Sequence, residues 1–391
     1  MTAFTIDPET LAARRKRAQE RADSGEGRRL AANLGAGKAF HNDDLAALFL
    51  SSDVATDDLL DFARKLQTPV APRLETFSPL YLSNECDAEC LMCGMRRFNT
   101  QLQRSTSSEA TTDQQLGILY RRGLRGVALV TGEYRHGPLR REMLARTTAA
   151  ARSAIERGFT HVLLNVGSLD SHEHAELVGG LPPSSDGLRL TQSTFQETYD
   201  PKTYERFMGS NVENPRSDFW RRLENFDRAA DAGMRSANPG ILLGLNGDLA
   251  YELLALASHV RHLLARNRSV YISLPRLRKA SGATHHAGAS DDELIRIVSL
   301  LSPAFPEAKV VISTREAAEM QRRLVPVIGV LTAGSPGVAP YSEGEARFEI
   351  KESQFQVADQ RPIEVILAEH LAAGATIDGY EPAPSSFVNP A

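Results

Sequence analysis

The sequence predicts an α/β protein: a (β/α)8 TIM-type barrel with an N-terminal helical extension and a C-terminal helix. Two observations lead there. Eight short apolar runs alternate with amphipathic, helix-length segments between residues 79 and 332, the pattern of repeated β/α units. All three cysteines, Cys86, Cys90 and Cys93, follow directly on the first of those runs, at the end of a strand where barrels place their chemistry. A doubly wound parallel sheet shares this alternation, and the count of eight favours the barrel.

Taken in order, residues 8–70 read as helices. "DPETLAARRKRAQERA" opens on Asp7-Pro8 with Glu9 in the first turn, and "DLAALFLSS" and "ATDDLLDFARKLQ" repeat apolar residues at helical spacing. The strand candidates are 79–83, 126–132, 161–167, 188–195, 240–245, 270–275, 310–314 and 326–332. Stretches such as "TTDQQLGILYRRGL" and "ASDDELIRIVSLLS" supply helices between them. A last amphipathic run, "IEVILAEHLAAGA", precedes a Pro-rich end. The expected organisation is therefore a helical extension over 1–74, a barrel over 75–345, and a C-terminal helix and tail over 346–391.

Composition narrows the function. Lys and Arg number 45 against 49 Asp and Glu, a net charge of -4, which argues against a nucleic acid or an anionic membrane as partner. No stretch reaches the roughly 20 apolar residues of a membrane span, and the N-terminus alternates charges where a signal peptide would be apolar. With an odd cysteine count besides, a reducing cytoplasm is the expected location.

Cysteines spaced by three and two residues are soft ligands for a metal centre. Structural zinc wants a fourth protein ligand, and the next histidine along the chain is His136. An iron–sulfur cluster suits three thiolates better, with one iron left open. His285 and His286 also resemble a metal pair, but a Gly/Ala/Ser-rich stretch surrounds them, which reads as a solvent loop. The polar run "RRFNTQLQRSTSSEATT" after the cysteines reads the same way.

"CDAECLMC" has the C-x3-C-x2-C form of the radical S-adenosylmethionine (SAM) enzymes. The resemblance implies a radical SAM barrel whose Cys86, Cys90 and Cys93 hold a [4Fe–4S] cluster, with SAM on the open iron. Met92 stands where that superfamily usually has an aromatic residue. "TGE" at 131–133, "FQETYD" at 195–200, "RRLENFDRAADAGM" at 221–234, "ISLPRLR" at 272–278 and "ISTRE" at 312–316 follow in an order similar to the aromatic amino-acid lyase branch. Within that branch, "CDAECLMCGMR" is most similar to the tryptophan lyases, the 3-methyl-2-indolic acid synthases of thiopeptide-type antibiotic biosynthesis.

By that resemblance Gly132 and Glu133 meet the ammonium group of SAM, and Glu197 and Arg222 grip its ribose and carboxylate. Spacing does not separate Arg222 from Arg221. Arg315 would hold the substrate carboxylate. Ser313 and Glu316 around it read as a capping box, which leaves a cation in a first helical turn, where the dipole disfavours it. Tyr81 alternates with Leu82 on the first strand, so one of the two faces the interior, and the resemblance puts an aromatic hydroxyl near the substrate. The expected reaction converts L-tryptophan to 3-methyl-2-indolic acid, with electrons from a donor such as flavodoxin or ferredoxin. The alternatives are a tyrosine Cα–Cβ lyase of the 2-iminoacetate synthase type and a non-catalytic metal-cluster sensor.

Overall fold

The computed structural model describes residues 2–36, 38, 40–67, 71–284, 288–342 and 352–382; His285 and His286 lie outside them. Four helices lead: α1 (Pro8–Asp23), α2 (Gly27–Gly35), α3 (Asn42–Leu50) and α4 (Thr56–Gln67). Asp7 caps α1 by accepting from the Glu9 amide, with Pro8 at the first helical position, where its missing N–H costs nothing.

The strands are β1 (Arg73–Glu75), β2 (Ser78–Tyr81), β3 (Gly126–Val130), β4 (His161–Asn165), β5 (Arg189–Glu197), β6 (Ser236–Ile241), β7 (Ser269–Ser273), β8 (Ala308–Ser313), β9 (Val330–Thr332) and β10 (Thr376–Asp378). Around them lie α5 (Glu109–Arg121), α6 (Pro138–Arg157), α7 (Ser171–Gly179), α8 (Pro201–Met208), α9 (Phe219–Leu223), α10 (Asn225–Asp231), α11 (Leu249–Leu264), α12 (Asp291–Ala304), α13 (Ala318–Leu324) and α14 (Ile363–Ala372).

All ladder pairs are parallel, in the order β10-β1-β9-β8-β7-β6-β5-β4-β3-β2. The run β2 to β9 is the eight-stranded barrel expected from the sequence. Its strands are buried on both faces, as β3 is at every position, because helices cover the outside. Between β2 and β9 side chains replace the ladder: Ser78 Oγ donates to the Ala333 carbonyl at 2.6 Å and Thr76 Oγ1 to that of Leu331 at 2.8 Å.

The N-terminal helices pack on this outer layer, α3 between α1 and α11, and α4 on α12. Arg296 of α12 donates to the carbonyls of Leu48, Phe49, Ser51 and Val54, satisfying the C-terminal end of α3 that helix geometry leaves unpaired. Among the described residues no helix is long and apolar enough to cross a membrane.

Three expectations shift. The fifth barrel strand is Ser236–Ile241, not 240–245, because "SANPG" has turn composition but is strand here. Asn238 is accommodated by donating to the Tyr271 carbonyl and Ser273 Oγ, both at 2.9 Å. The eighth strand starts only at Val330, since Val325–Val327 around Pro326 form a 3-10 turn. Ser313 and Glu316 form no capping box: α13 begins at Ala318 with Ala317 at its cap, and the Glu316 carboxylate goes to Arg276 and Arg278 instead.

Candidate active site

The segment after β2 carries the cysteines through a long irregular path from Asn84 to Ser107, pinned by its own polar groups. Arg104 donates to the carbonyls of Asn84, Met95 and Arg96, and Asn99 to those of Gly94 and Ser281. The stretch expected to be a solvated loop thus holds the cysteine loop in shape, with Asn99 and Leu102 buried. Gly132 at the end of β3 lets the two segments touch. A Cβ there would lie 2.0 Å from the Glu85 carbonyl oxygen and 2.8 Å from Cys86 Cβ.

All three cysteines are free thiols on one cavity at the C-terminal mouth of the barrel. Amides point at their sulfurs: Ala88 and Glu133 at Cys86 Sγ, 3.4 and 3.3 Å, and Met95 at Cys93 Sγ, 3.4 Å. Burial, with Cys93 beside it, pushes the Cys86 thiol up to about 12; burial raises Cys90 and Cys93 as well. Deprotonation here therefore needs a bound cationic centre.

A single zinc ion at Zn–S of about 2.3 Å would draw its sulfurs to about 3.8 Å apart. Among the described residues the three sulfurs do not all lie within 4.8 Å of one another, a spacing wider than a single zinc ion would hold. The His136, Asp170 and Glu173 group does meet that distance, but its acids are already used. Asp170 caps α7, and Glu173 completes the box and pairs with Arg140.

Beside the cysteines stands a buried quartet. Arg222 Nη1 donates to Glu133 at 2.7 Å, and its Nε to the Phe195 carbonyl at 2.7 Å. Arg216 Nη2 donates to Glu197 at 2.9 Å, while its Nε lies 3.3 Å from Glu133 without hydrogen-bond geometry. Burial opposes the Glu133 charge, but Arg222 and Arg216 outweigh it and hold the carboxyl below its usual range. Glu197 sits at a bulge at the end of β5 with φ +70°, a conformation costly for a side chain with a Cβ. Gly167, φ +83°, leaves room for Glu133, whose Cγ would be 2.3 Å from a Cβ there. Arg222 lines the cavity, whereas Arg221 turns to the Ser168 carbonyl. Arg216 was missed in sequence reading; it lies in "VENPRSD", a run without helical or strand periodicity.

Tyr81 and Arg315 line the same cavity; Leu82 points to the other side of the sheet, near α5 and α6. Arg315 is one nitrogen short of isolation: among the described residues its side chain makes one hydrogen bond, from Nη1 to the Arg276 carbonyl at 3.2 Å. Phe355 covers its face, 3.4 Å from ring centroid to guanidinium carbon. Burial brings this guanidinium down to about 10, still a cation at neutral pH. Gln354, next to Phe355, accepts from Tyr81 Oη at 2.6 Å and donates to Cys93 Sγ at 3.5 Å. Neither was anticipated, because both lie in the segment read as tail.

The residues fit a cluster and its co-ligand. They offer three sulfurs facing one cavity with N–H donors toward them, and next to these a paired acid and base set for a zwitterionic molecule. The fold is the parallel TIM-type barrel expected from the sequence, and its C-terminal mouth carries three free thiols of a kind suited to an iron–sulfur cluster.

No family model matches the chain. It is similar to the 2-iminoacetate synthase of Escherichia coli (strain K12), 29% identical over 352 residues covering 87% of this chain and 85% of the relative. The 2-iminoacetate synthase of Salmonella typhimurium is 27% identical over 345 residues, 85% of each. The fold matches the FeFe-hydrogenase maturase HydG from Carboxydothermus hydrogenoformans with a TM-score of 0.79 at 23% identity, over 96% of this chain and 86% of that one. It also matches methylornithine synthase (PylB), with a TM-score of 0.67 at 19% identity, over 89% and 97%.

Proposed function

We propose that the protein cleaves the side chain of an aromatic L-amino acid, with tyrosine Cα–Cβ cleavage of the 2-iminoacetate synthase type as the first reading. The observation that carries it is Arg315: a half-buried, stacked cation facing the cavity with no carboxylate partner among the described residues. A guanidinium partly withdrawn from water without a counter-charge is costly, and a planar fork at a cavity wall is matched by a carboxylate. The named product of the relatives, 2-iminoacetate, is the two-carbon imine left when an α-amino acid loses its side chain at Cα–Cβ. This supports the tyrosine reading over the expectation of tryptophan.

In this assignment Cys86, Cys90 and Cys93 hold the cluster. Glu133, Glu197, Arg222 and Arg216 orient SAM, and Gly132 lets the two walls meet. When bound, these cofactors supply one-electron hydrogen abstraction. Arg315 anchors the substrate carboxylate and Tyr81 meets its amine, so that the bond to be broken is presented in one orientation. A flavodoxin- or ferredoxin-type protein would deliver the electron.

A second reading, L-tryptophan conversion to 3-methyl-2-indolic acid, is favoured by Met92, which is buried on the cavity wall. A thioether there leaves a differently shaped space than the aromatic residue usual at that position. The test is anaerobic: reconstituted protein with SAM and dithionite, measuring 5′-deoxyadenosine with tyrosine, with tryptophan and with neither. Stimulation by tyrosine with p-cresol supports the first reading. Stimulation by tryptophan alone, with 3-methylindole-2-carboxylate, replaces it by the second, and stimulation by neither overturns both.

A further inference from the structure

Gln354 occupies a position that nothing in the cysteine motif foretells. It lies on a strap, residues 352–358, that returns across the mouth of the barrel after α13 and β9. The strap is held by main-chain contacts. Gly94 N donates to the Gln354 carbonyl at 3.0 Å, Gln356 N to that of Lys279 at 2.8 Å, and Ala358 N to that of Thr314 at 3.0 Å. Gly94 makes the first of these possible: a Cβ there would be 2.7 Å from the Gln354 carbonyl oxygen. The backbone thus fixes where the Gln354 amide begins, and its two ends reach Tyr81 Oη and Cys93 Sγ.

The orientation of that amide follows from chemistry. A metal-ligating sulfur has only lone pairs to offer, so the NH2 end must face Cys93 and the carbonyl end must face Tyr81. Tyr81 then has to donate its single proton to Gln354. With its one proton committed to Gln354, what the phenol has left for the cavity is its oxygen lone pairs. Toward a substrate Tyr81 is an acceptor.

We propose that Gln354 is a positioning residue that does two things with one amide. It adds an N–H to the Cys93 sulfur beside the one from Met95, and it turns the Tyr81 hydroxyl so that the site reads an N–H on its substrate, the α-amine of the amino acid. The second half rests on the reading of Tyr81 and Arg315 given above. The first half concerns the cluster alone, since hydrogen bonds to ligating sulfur raise a cluster's reduction potential.

Two variants separate the halves in the reconstituted holoenzyme. Gln354→Leu loses both contacts; Gln354→Glu keeps an acceptor for Tyr81 and loses the donor to sulfur. The cluster potential, followed by EPR in a redox titration without substrate, is expected to move to more negative values in both. The dissociation constant for L-tyrosine or L-tryptophan, whichever the parent protein binds, is expected to rise about tenfold in Gln354→Leu, the weight of one hydrogen bond, and to stay within about twofold in Gln354→Glu. An unchanged potential in both variants overturns the sulfur half. An equal loss of affinity in both overturns the Tyr81 half. Binding of neither amino acid by the parent protein removes the substrate reading and the Tyr81 half with it, and the potentials still decide the rest.

Discussion

The guanidinium of Arg315 lies over the ring of Phe355, 3.4 Å from its centroid. With one face covered by the ring, its N–H groups are left to act at the edge, in one plane. Lysine would keep the charge and lose both the stacking and the fork. Arg315→Lys is therefore expected to raise the substrate KM at least tenfold in steady-state assays. If tryptophan is the substrate, chromatography should also show more fragmentation without recombination. Unchanged KM and unchanged products would remove Arg315 from the site.

Glu133 is the acceptor on which Arg222 and Arg216 converge. Glu133→Ala leaves two buried guanidinium groups facing an empty space, and breaking a buried pair in this way costs about 3–5 kcal/mol. The expected result is a clearly lower Tm in the apoprotein and SAM binding weakened by tenfold or more in calorimetry. A variant with parental Tm would mean that water replaces the carboxylate, and that the quartet contributes little to folding.

Gly132→Ala tests the contact between the cysteine loop and β3. The added methyl would meet the Glu85 carbonyl at 2.0 Å, so one wall must move. The expectation is a folded protein, judged by far-UV circular dichroism, that retains less than half of the parental iron after reconstitution. Parental iron content would show that the loop yields without disturbing its sulfurs.

Glu252 on α11 is fully buried, and burial raises its carboxyl to about 7. It accepts from Tyr199 N at 2.8 Å, Asn246 Nδ2 at 2.7 Å and Thr198 Oγ1 at 2.5 Å, just after Glu197. A carboxyl raised above its unfolded value near 4.5 is protonated in the folded state while the unfolded chain has already lost its proton. Stability from this group is therefore greatest below pH 4.5 and falls as pH rises toward 7, by about 3 kcal/mol in all at 1.36 kcal/mol per unit. Glu252→Gln should flatten the decline in Tm between pH 5 and 8; the same slope in parent and variant would refute the assignment.

Much of the barrel is legible because its strands are apolar runs buried on both faces, so β3, β4 and β7 announce themselves. β6 was displaced because Asn238, Pro239 and Gly240 carry turn composition, and only the side-chain bonds of Asn238 to β7 explain their place in a strand. β1 and β10, three residues each, are too short for any period to register. The cysteines were legible because spacing is a local property. Arg216 and Gln354 were not: each acts through partners distant in sequence, and nothing in the residues beside them encodes that contact. Glu316 was legible as a local cap and acts as a distant anchor for Arg276 and Arg278, which is the same limitation met from the other side.

The strap over the barrel mouth has a consequence for how such a protein can change. On the proposed assignment the cofactors rest on β3, β5 and the cysteine loop, while Gln354 and Phe355, which touch Tyr81 and Arg315, come from a stretch of chain beyond the barrel strands. Radical generation and choice of amino acid thus meet in one short stretch of the gene, since Gln354 touches both Cys93 and Tyr81. Substitution of a few codons around 352–358 that spare Gln354 can give a descendant a new preference while the cysteine loop and the β3 and β5 contacts are inherited intact.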